Sequence, residues 1–275
     1  MFCSIELAAR IERAEAQLVA ASSAAAEARV DGVFVEPIAG GVATYAEPGS
    51  PYNKVAGLGF DALPDGEQLA AVERAFAARG APTAVEVAHL AEPALAHLLI
   101  DRGYRLEGFE NVLGRGLTDV PSPPSGVEVR RSGDDELDEW LEVVGEGAAT
   151  PDTQGMPSHE HFPRETIDNA LRDYFAGTDG RRYAARLDGA LAGGASIRLA
   201  DGIAQMTGAA TAPAYRRRGV QSALFAARLT DAAAAGCELA VVTTQPASKS
   251  HENAQRQGFE LLYTRAVWVK PAEGV

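Results

Sequence analysis

Three consecutive arginines stand immediately before a glycine late in the sequence, as Arg216, Arg217, Arg218 and Gly219. Apolar residues at helical spacing follow at once and predict a helix that begins after the glycine; they are Val220, Leu224, Ala227 and Ala232. The first amide groups of a helix have no partner inside the helix, and the helix dipole makes that end positive. Guanidinium groups beside such amides predict a binding site for a phosphate or pyrophosphate group.

The unfavourable position of these arginines is itself an argument for a ligand. Positive side chains at the start of a helix are repelled by its dipole, so a cluster of three there indicates an anion that offsets the repulsion. Gly219 has no Cβ and would let that anion approach the backbone closely. Two other phosphate-binding patterns, G-x-x-x-x-G-K-[ST] and G-x-G-x-x-G after a strand, do not occur in the sequence.

The overall composition is acidic, in contrast to this basic cluster. The 275 residues include 25 Lys and Arg against 38 Asp and Glu, for a net charge of −13. This balance and the lack of aromatic residues among the arginines argue against a nucleic-acid partner or a membrane surface, and the charge favours a cationic acceptor molecule. Cys3 and Cys237 lack metal-ligand spacing, so no metal site is expected. The two cysteines also suggest no disulfide framework, which predicts a cytoplasmic protein. Charged residues interrupt the N-terminal segment, which predicts an amphipathic helix and no leader sequence.

The elements before the arginines are predicted to be strands. Alternating apolar residues indicate strands over 182–187, 192–199 and 203–211, with tight turns at Asp188-Gly189 and Asp201-Gly202. The helix that starts at Val220 is expected to end near Gly236. The arginine stretch is therefore predicted to be a turn between a strand and a helix.

The sequence also contains an internal repeat at an offset of 155 residues. In this register 83–106 lies on 238–261, and 66–82 lies on 221–237. The segment FDALPD (60–65) then lies opposite YRRRGV (215–220), so the first copy has acidic residues where the second has arginines. A proline-rich stretch at 118–126 reads as a linker. We therefore predict a first domain over 1–117 that lacks the anion site and a second domain over 127–275 that holds it.

Several of these residues carry a resemblance to a known family. Pro213, Tyr215, the run RRRGVQSAL and the later GFE resemble the GNAT superfamily of acyl-CoA-dependent N-acyltransferases, whose signature Q/R-x-x-G-x-G/A opens a helix after the fourth strand. Gln221 stands where Gly or Ala is usual, and Thr211 stands where Val is usual. The resemblance covers 127–271 and reaches the first half through the repeat. It implies an α/β fold of two tandem GNAT-like domains, the first degenerate, each a mixed, mostly antiparallel twisted sheet flanked by helices.

The resemblance further implies acetyl-CoA as co-substrate and a primary amine of a small molecule or peptide as acceptor, with direct transfer in a ternary complex. The sheet would splay between its fourth and fifth strands, and the pantetheine arm would pair in the gap. The backbone that would bond the arm is that of Ala209, Ala210 and Thr211. Arg216 holds the first position of the motif, and the expected pyrophosphate site consists of Arg217, Arg218, Gly219, Val220, Gln221 and Ser222.

The groups that would move protons are less clearly indicated. The family's tyrosine acid usually lies four residues before the Gly-Phe pair, where this sequence has Ala254. Ser250, Asn253 or a water held by Asn253 could compensate, whereas Ser248 is expected to cap a helix.

On the fourth strand, where the family often has a glutamate base, this sequence has Gln205 and Thr207. The loop 147–165 offers His159 and His161 as candidate bases beside Asp152 and Glu160. The weak proton-handling set leaves an alternative open, a protein that binds acyl-CoA as a sensor or partner-binding module without turnover. The oligomeric state stays open as well.

Overall fold

The computed structural model describes residues 1–150, 154, 156 and 162–272. Within these residues the helices are α1 (Ile5–Ala25), α2 (Gly66–Ala77), α3 (Ala94–Asp101), α4 (Leu137–Ala149), α5 (Arg164–Gly177), α6 (Val220–Ala234) and α7 (Lys249–Arg256). The strands are β1 (Phe34–Ile38), β2 (Gly41–Tyr45), β3 (Lys54–Ala56), β4 (Thr83–Ala88), β5 (Arg105–Gly116), β6 (Glu128–Arg131), β7 (Arg181–Leu187), β8 (Ala190–Ala200), β9 (Ile203–Thr211), β10 (Leu239–Thr244) and β11 (Glu260–Lys270). Short 3-10 turns occur at Ala26–Ala28, Asp134–Glu136 and Pro213–Tyr215.

The chain divides into two compact units. The N-terminal unit contains residues 2–111, 172–178 and 262–272, and the C-terminal unit contains Met1 with the described residues of 112–171 and 179–261. These units differ from the predicted domains 1–117 and 127–275, because two later segments pack with the first half. Residues 265–270 of β11 pair antiparallel with β4, and Tyr174 joins a cluster with Leu18 and Val19 of α1. Hydrophobic periodicity is a local property, so it could not show that these later segments pack with the first half.

The N-terminal unit is a mixed sheet in the order β1-β2-β3-β4-β11. All of these neighbours are antiparallel except β3 and β4, which are parallel at Val55 and Val85. Helix α1 forms as its apolar spacing predicts, with Ser4 accepting a hydrogen bond from the amide of Leu7 as N-cap. The core includes stacked and edge-on rings of Phe34, Tyr45 and Phe76.

The C-terminal unit is a mixed sheet in the order β10-β9-β8-β7-β6, antiparallel except for β9 and β10. A Cβ added at Gly193 would meet Val220 of α6, and one added at Gly194 would meet Trp140 of α4. Since consecutive strand residues point to opposite faces, α6 and α4 cover opposite faces of this sheet. The predicted strands and the predicted helix after Gly219 are confirmed.

The internal repeat is visible in the element bounds. Adding 155 to the bounds of α3 gives 249–256, which are the bounds of α7, and adding it to the start of β5 gives 260, the start of β11. Helix α2 likewise maps to 221–232, within α6. The order strand, helix, strand, helix, strand therefore occurs twice, and the fold prediction of two tandem GNAT-like halves with mixed, mostly antiparallel sheets flanked by helices is confirmed.

Candidate functional site

The arginine turn joins β9 to α6 and holds an unusual backbone conformation. Arg217 has a φ of 62° and Gly219 a φ of 85°, both in the left-handed region. A Cβ at Gly219 would meet Pro124 at an ordinary 3.4 Å, so the conformation rather than crowding requires glycine here. No described side chain caps α6, whose N-cap is Gly219. Left-handed turns of this kind point successive amides to one side, in an arrangement that suits an anion.

A cleft of about 840 Å³ lies in front of this turn. Most of the residues that the sequence indicates for the coenzyme line it, and the lining set includes Ala209, Ala210, Thr211, Arg216, Arg217, Gly219, Val220, Gln221 and Ser222. The other side of the cleft is formed by residues 243–245, at the end of β10, and by one face of α7.

The cleft exists because two parallel strands separate. β9 and β10 pair only over 203–205 and 239–241, although β9 continues to Thr211 and β10 to Thr244. Beyond Val241 the edges of the two strands are no longer bonded to each other. The splay between the fourth and fifth strands of this half is therefore present where the family resemblance implies it.

Helix α4 forms a wall of the cleft in close contact with β9. A Cβ on Gly147 would lie 2.9 Å from Cβ of Ala210 and 3.1 Å from the carbonyl oxygen of Thr211, so a larger residue could not pack there. Arg216 fixes the end of this helix, because its Nη2 donates to the carbonyl oxygens of Gly147 (3.3 Å) and Thr150. This arginine thus ties the turn to α4.

The two arginines that follow have different surroundings. Arg218 donates to Asp188 at 2.9 Å and lies 5.8 Å from the centroid of the Tyr215 ring, and it is not among the residues lining the cleft. Arg217 lines the cleft, and within the described part of the chain its guanidinium has neither a hydrogen bond nor an ion pair. The structure therefore brings Arg217 to the cleft and holds Arg218 at the hairpin turn between β7 and β8.

Helix α7 contributes a second set of polar residues to the cleft, and only some of them were predicted from the sequence. Lys249, Asn253 and Arg256 line the cleft at intervals of four and three residues, which places them on one face of the helix. Glu252 bonds both cations, at 2.6 Å to Lys249 and also to Arg256. The hydrogen bond from Lys249, helped by the charge of Arg256, lowers the pKa of Glu252. Lys249 and Arg256 are seven residues apart, and this helical spacing is the feature of the sequence that could have placed them on one face.

The charge of the cleft is opposite in sign to that of the whole chain. Its charged lining residues, within the described part, are Arg216, Arg217, Lys249 and Arg256, with no carboxylate among them. The described lining also contains no histidine. The cleft can thus hold a polyanion, and its described lining supplies no ordinary general base.

The described residues include three of the four predicted proton-handling residues, and two of these three line the cleft. Ser250 and Asn253 line the cleft. Gln205 is buried, accepts a hydrogen bond from Arg198 at 2.6 Å and is not part of the lining. His159, like His161, Asp152 and Glu160, lies outside the described residues.

Two further expectations for α7 can be compared with the structure. Ser248 accepts a hydrogen bond from the amide of His251, so its predicted capping role is confirmed. Ala254, which holds the position of the family's tyrosine, is fully buried in the core of the unit and therefore presents no polar group to the cleft.

The described residues contain neither a metal-binding cluster nor a membrane-spanning helix. Among the described residues, no group of three or more His, Cys, Asp or Glu side chains could hold a metal ion. None of the helices in that part of the chain has the length and apolar character needed to cross a membrane.

Comparison with known proteins matches the second half of the chain to a family. Residues 148–259 match the sequence model described as the acetyltransferase (GNAT) family. A search of curated protein sequences gave no match.

Solved structures similar to this chain include several acetyltransferases. A GCN5-related N-acetyltransferase from Kribbella flavida has 22% identity and a TM-score of 0.66, over 96% of each chain. A tandem GNAT protein from the clavulanic acid biosynthesis pathway has 14% identity and a TM-score of 0.57, over 84% of this chain and 74% of that one. A GCN5-related N-acetyltransferase from Sphaerobacter thermophilus has 16% identity and a TM-score of 0.55, over 75% and 67%. At these identities the likeness shows a shared fold.

Proposed function

We propose that this chain, whose residues 148–259 match the model of the acetyltransferase (GNAT) family, transfers an acetyl or other acyl group from acyl-CoA to a primary amine of a small molecule or peptide. The transfer is direct, within a ternary complex of protein, acyl-CoA and acceptor. One observation carries the proposal. Among the described residues no side chain caps the start of α6, and none bonds the guanidinium of Arg217. Both face a cleft whose described charged lining is entirely cationic, in a chain with a net charge of −13.

The pyrophosphate of the coenzyme would bind at the start of α6. The amides of Val220, Gln221 and Ser222 are the orphan donors of the first helical turn, and an anion in front of them gains both hydrogen bonds and the helix dipole. Arg217 adds a charge-assisted bond. The arm would then run along Ala209–Thr211 in the gap that opens after Val241, where the backbone of β9 has no bond to β10.

A comparison of the two repeat copies supports one coenzyme site per chain. Helix α2, the counterpart of α6, is capped by Asp65, whose Oδ1 accepts from the amides of Glu67 (2.9 Å) and Gln68 (2.8 Å). A carboxylate thus already bonds the amides that would otherwise attract a phosphate. The first copy is therefore proposed to be degenerate and without a coenzyme site.

The proton transfers are proposed to proceed without the usual tyrosine. The attacking amine loses a proton as its nitrogen bonds to the thioester carbon, and the departing thiolate gains one. Ser250 and Asn253, directly or through a held water, are the described lining groups available for these transfers. We propose His159 as a base from the sequence alone.

A second function is favoured by Ala254 and Gln205. The family's acid position is a buried alanine, and the amide of Gln205 is bonded to Arg198 outside the cleft lining. A chain with these features could bind acyl-CoA as a sensor or as a module for another protein, without turnover.

The acceptor and the location are proposed on general grounds. The excess of acidic residues favours a cationic acceptor over an anionic one in the long-range field. The phosphates of the bound coenzyme would neutralise the cations of the cleft, so the cleft's own charge does not oppose such an acceptor. Cys3 and Cys237 are free thiols, as suits a cytoplasmic protein.

Isothermal titration with acetyl-CoA tests the binding half of the proposal, with one site per chain as the expected result. No binding, or two equivalent sites, would contradict it. Release of free CoA thiol is then measured with a panel of primary amines, including polyamines, amino acids and peptides. Turnover with any of them identifies an acyltransferase, whereas binding without turnover across the panel identifies the sensor.

A further inference from the structure

Thr244, the last residue of β10, has a side chain that the proposed reaction has not used. Its side chain is almost fully buried, with 5% of the residue's surface exposed. The residue lines the cleft, and its Oγ1 has no hydrogen-bond partner in the described part of the chain. It is therefore a buried hydroxyl of a cleft residue, with its donor and acceptor capacity unfilled by any described group.

An unfilled hydroxyl in this position calls for a physical explanation. Buried polar groups in proteins are nearly always hydrogen-bonded, and leaving one without a partner destabilises the folded state. Thr244 lies three residues beyond Val241, where the pairing of β10 with β9 ends, so no neighbouring strand on that side supplies a partner. A ligand that occupies the gap would supply one.

The adjacent residue narrows the chemistry of that ligand. Oε1 of Gln245 is also buried without a described partner, and Gln245 also lines the cleft. A hydroxyl that can donate and accept, on the residue next to one whose amide oxygen accepts, is complementary to a group carrying both N–H and C=O. A secondary amide is such a group, whereas a phosphate offers acceptors alone at this end of the cleft.

We propose that Thr244 is a binding residue for the pantetheine arm, hydrogen-bonded through Oγ1 to one of its secondary amides, with Gln245 as the neighbouring acceptor. The inference rests on the proposed function, since it requires CoA in the cleft. It assigns β10 a part in holding the arm from the side opposite β9. Thr244 thereby positions the thioester by fixing the arm and takes no part in bond making.

The test compares Thr244→Val, which keeps the shape and removes the hydroxyl, with Thr244→Ser, which keeps the hydroxyl. Thr243→Val is the matched control, because Thr243 also lines the cleft but is less buried. Affinities for CoA and for adenosine 3′,5′-bisphosphate, which lacks the arm, are measured by titration calorimetry. We expect Thr244→Val to weaken CoA binding about 5- to 100-fold, the loss of one hydrogen bond that leaves a buried group unsatisfied. Thr244→Ser and Thr243→Val should stay close to wild type.

The bisphosphate and the ligand-free protein provide the discriminating readouts. Binding of adenosine 3′,5′-bisphosphate should be the same in all variants, and the unfolding midpoint of ligand-free Thr244→Val should be equal to or above that of wild type, because an unsatisfied hydroxyl has been removed. Unchanged CoA affinity in Thr244→Val, or an equal loss for the bisphosphate, or a lowered midpoint would overturn the inference. Failure of wild type to bind CoA would instead overturn the proposed function.

Discussion

At the scale of single residues, three adjacent arginines have three different tasks. Arg216 bonds the carbonyl oxygens at the end of α4, Arg218 pairs with Asp188, and Arg217 lines the cleft, where we propose that it binds the coenzyme. The pattern RRRG predicts an anion site, but it cannot separate these tasks. The separation depends on Asp188, which lies 30 residues earlier in a hairpin turn, and on backbone oxygens of a helix that the pattern does not contain.

The difference between Arg217 and Arg218 leads to a prediction at this scale. Arg217→Ala should weaken acetyl-CoA binding by about 10- to 100-fold, since a hydrogen bond to a charged group contributes about 1.5–3 kcal/mol. Arg218→Ala removes an exposed ion pair and should change the affinity less than about threefold. Titration calorimetry at one fixed salt concentration measures both. Equal losses in the two variants would show that Arg218 leaves Asp188 to bind the coenzyme, and unchanged affinity in Arg217→Ala would refute the assigned site.

At the scale of elements, α2 and α6 are equivalent helices of the repeat, but one start is capped by a side chain and the other is not. Both helices follow the same register, and the sequence predicts their positions because apolar spacing is a local property. Asp65 with Gln68 forms a capping box on α2, whereas Gly219 gives α6 no side-chain cap. A stable cap and a ligand site compete for the same amides. The asymmetry at this point is readable from sequence, as FDALPD against YRRRGV.

Replacing the cap should affect stability alone. Asp65→Ala removes the acceptor for two amides and should lower the free energy of unfolding by about 0.5–2 kcal/mol. Asp65→Asn, which keeps a capping oxygen, should retain most of the wild-type stability. Urea unfolding followed by circular dichroism measures the change, and acetyl-CoA affinity should be that of wild type in both variants. A change in coenzyme affinity would show that the first copy does take part in binding.

Helix α7 marks the limit of prediction at the element scale. Its bounds follow from the capping serine at 248 and from the repeat, but the face it turns to the cleft depends on how it packs after β10. The sequence indicated Asn253 as a candidate proton-handling residue, but it did not indicate that Lys249 and Arg256, on the same face, also line the cleft. Which side of a short polar helix faces a ligand is a tertiary property, since its own sequence is polar on most sides.

At the scale of the whole molecule, the chain order and the compact units do not coincide. Residues 262–272 come last in sequence and pack within the N-terminal unit. There Nε of Arg265 donates to Oε1 of Glu12 at 2.7 Å, and the hydroxyl of Tyr263 donates to the same oxygen. Burial alone would lower the pKa of Arg265, but the charge of Glu12 and of neighbouring carboxylates raises it well above its usual value. No local pattern predicts such a pair, because its members are 253 residues apart.

Breaking this buried pair should be costlier than removing it. Arg265→Leu leaves Glu12 as a buried carboxylate without its partner and should lower the free energy of unfolding by about 3–5 kcal/mol. The double variant Glu12→Leu with Arg265→Leu removes both charges and should recover much of that loss. Urea unfolding of the single and double variants gives the coupling energy. An additive result, with the double variant less stable than Arg265→Leu, would show that the two charges do not act as a pair.

The same packing predicts the behaviour of a fragment cut at the expected domain boundary. A fragment of residues 1–117 keeps β4 but loses its antiparallel partner over 265–270, so six residues of a buried strand lose a neighbour. It also keeps Glu12, which is 2% exposed, without Arg265. Both losses fall on the core of the N-terminal unit, and a sheet edge exposed in this way also favours aggregation.

We therefore expect fragment 1–117 to lack a cooperative unfolding transition at 25 °C, while the same fragment joined by a flexible linker to residues 262–272 unfolds cooperatively. Far-UV circular dichroism during urea titration distinguishes the two. The joined fragment carrying Arg265→Leu serves as the control, because it restores the strand without the charge, and it should fall between the others. A cooperative transition in fragment 1–117 alone would show that the unit is complete without the last strand, in which case 1–117 is a domain after all.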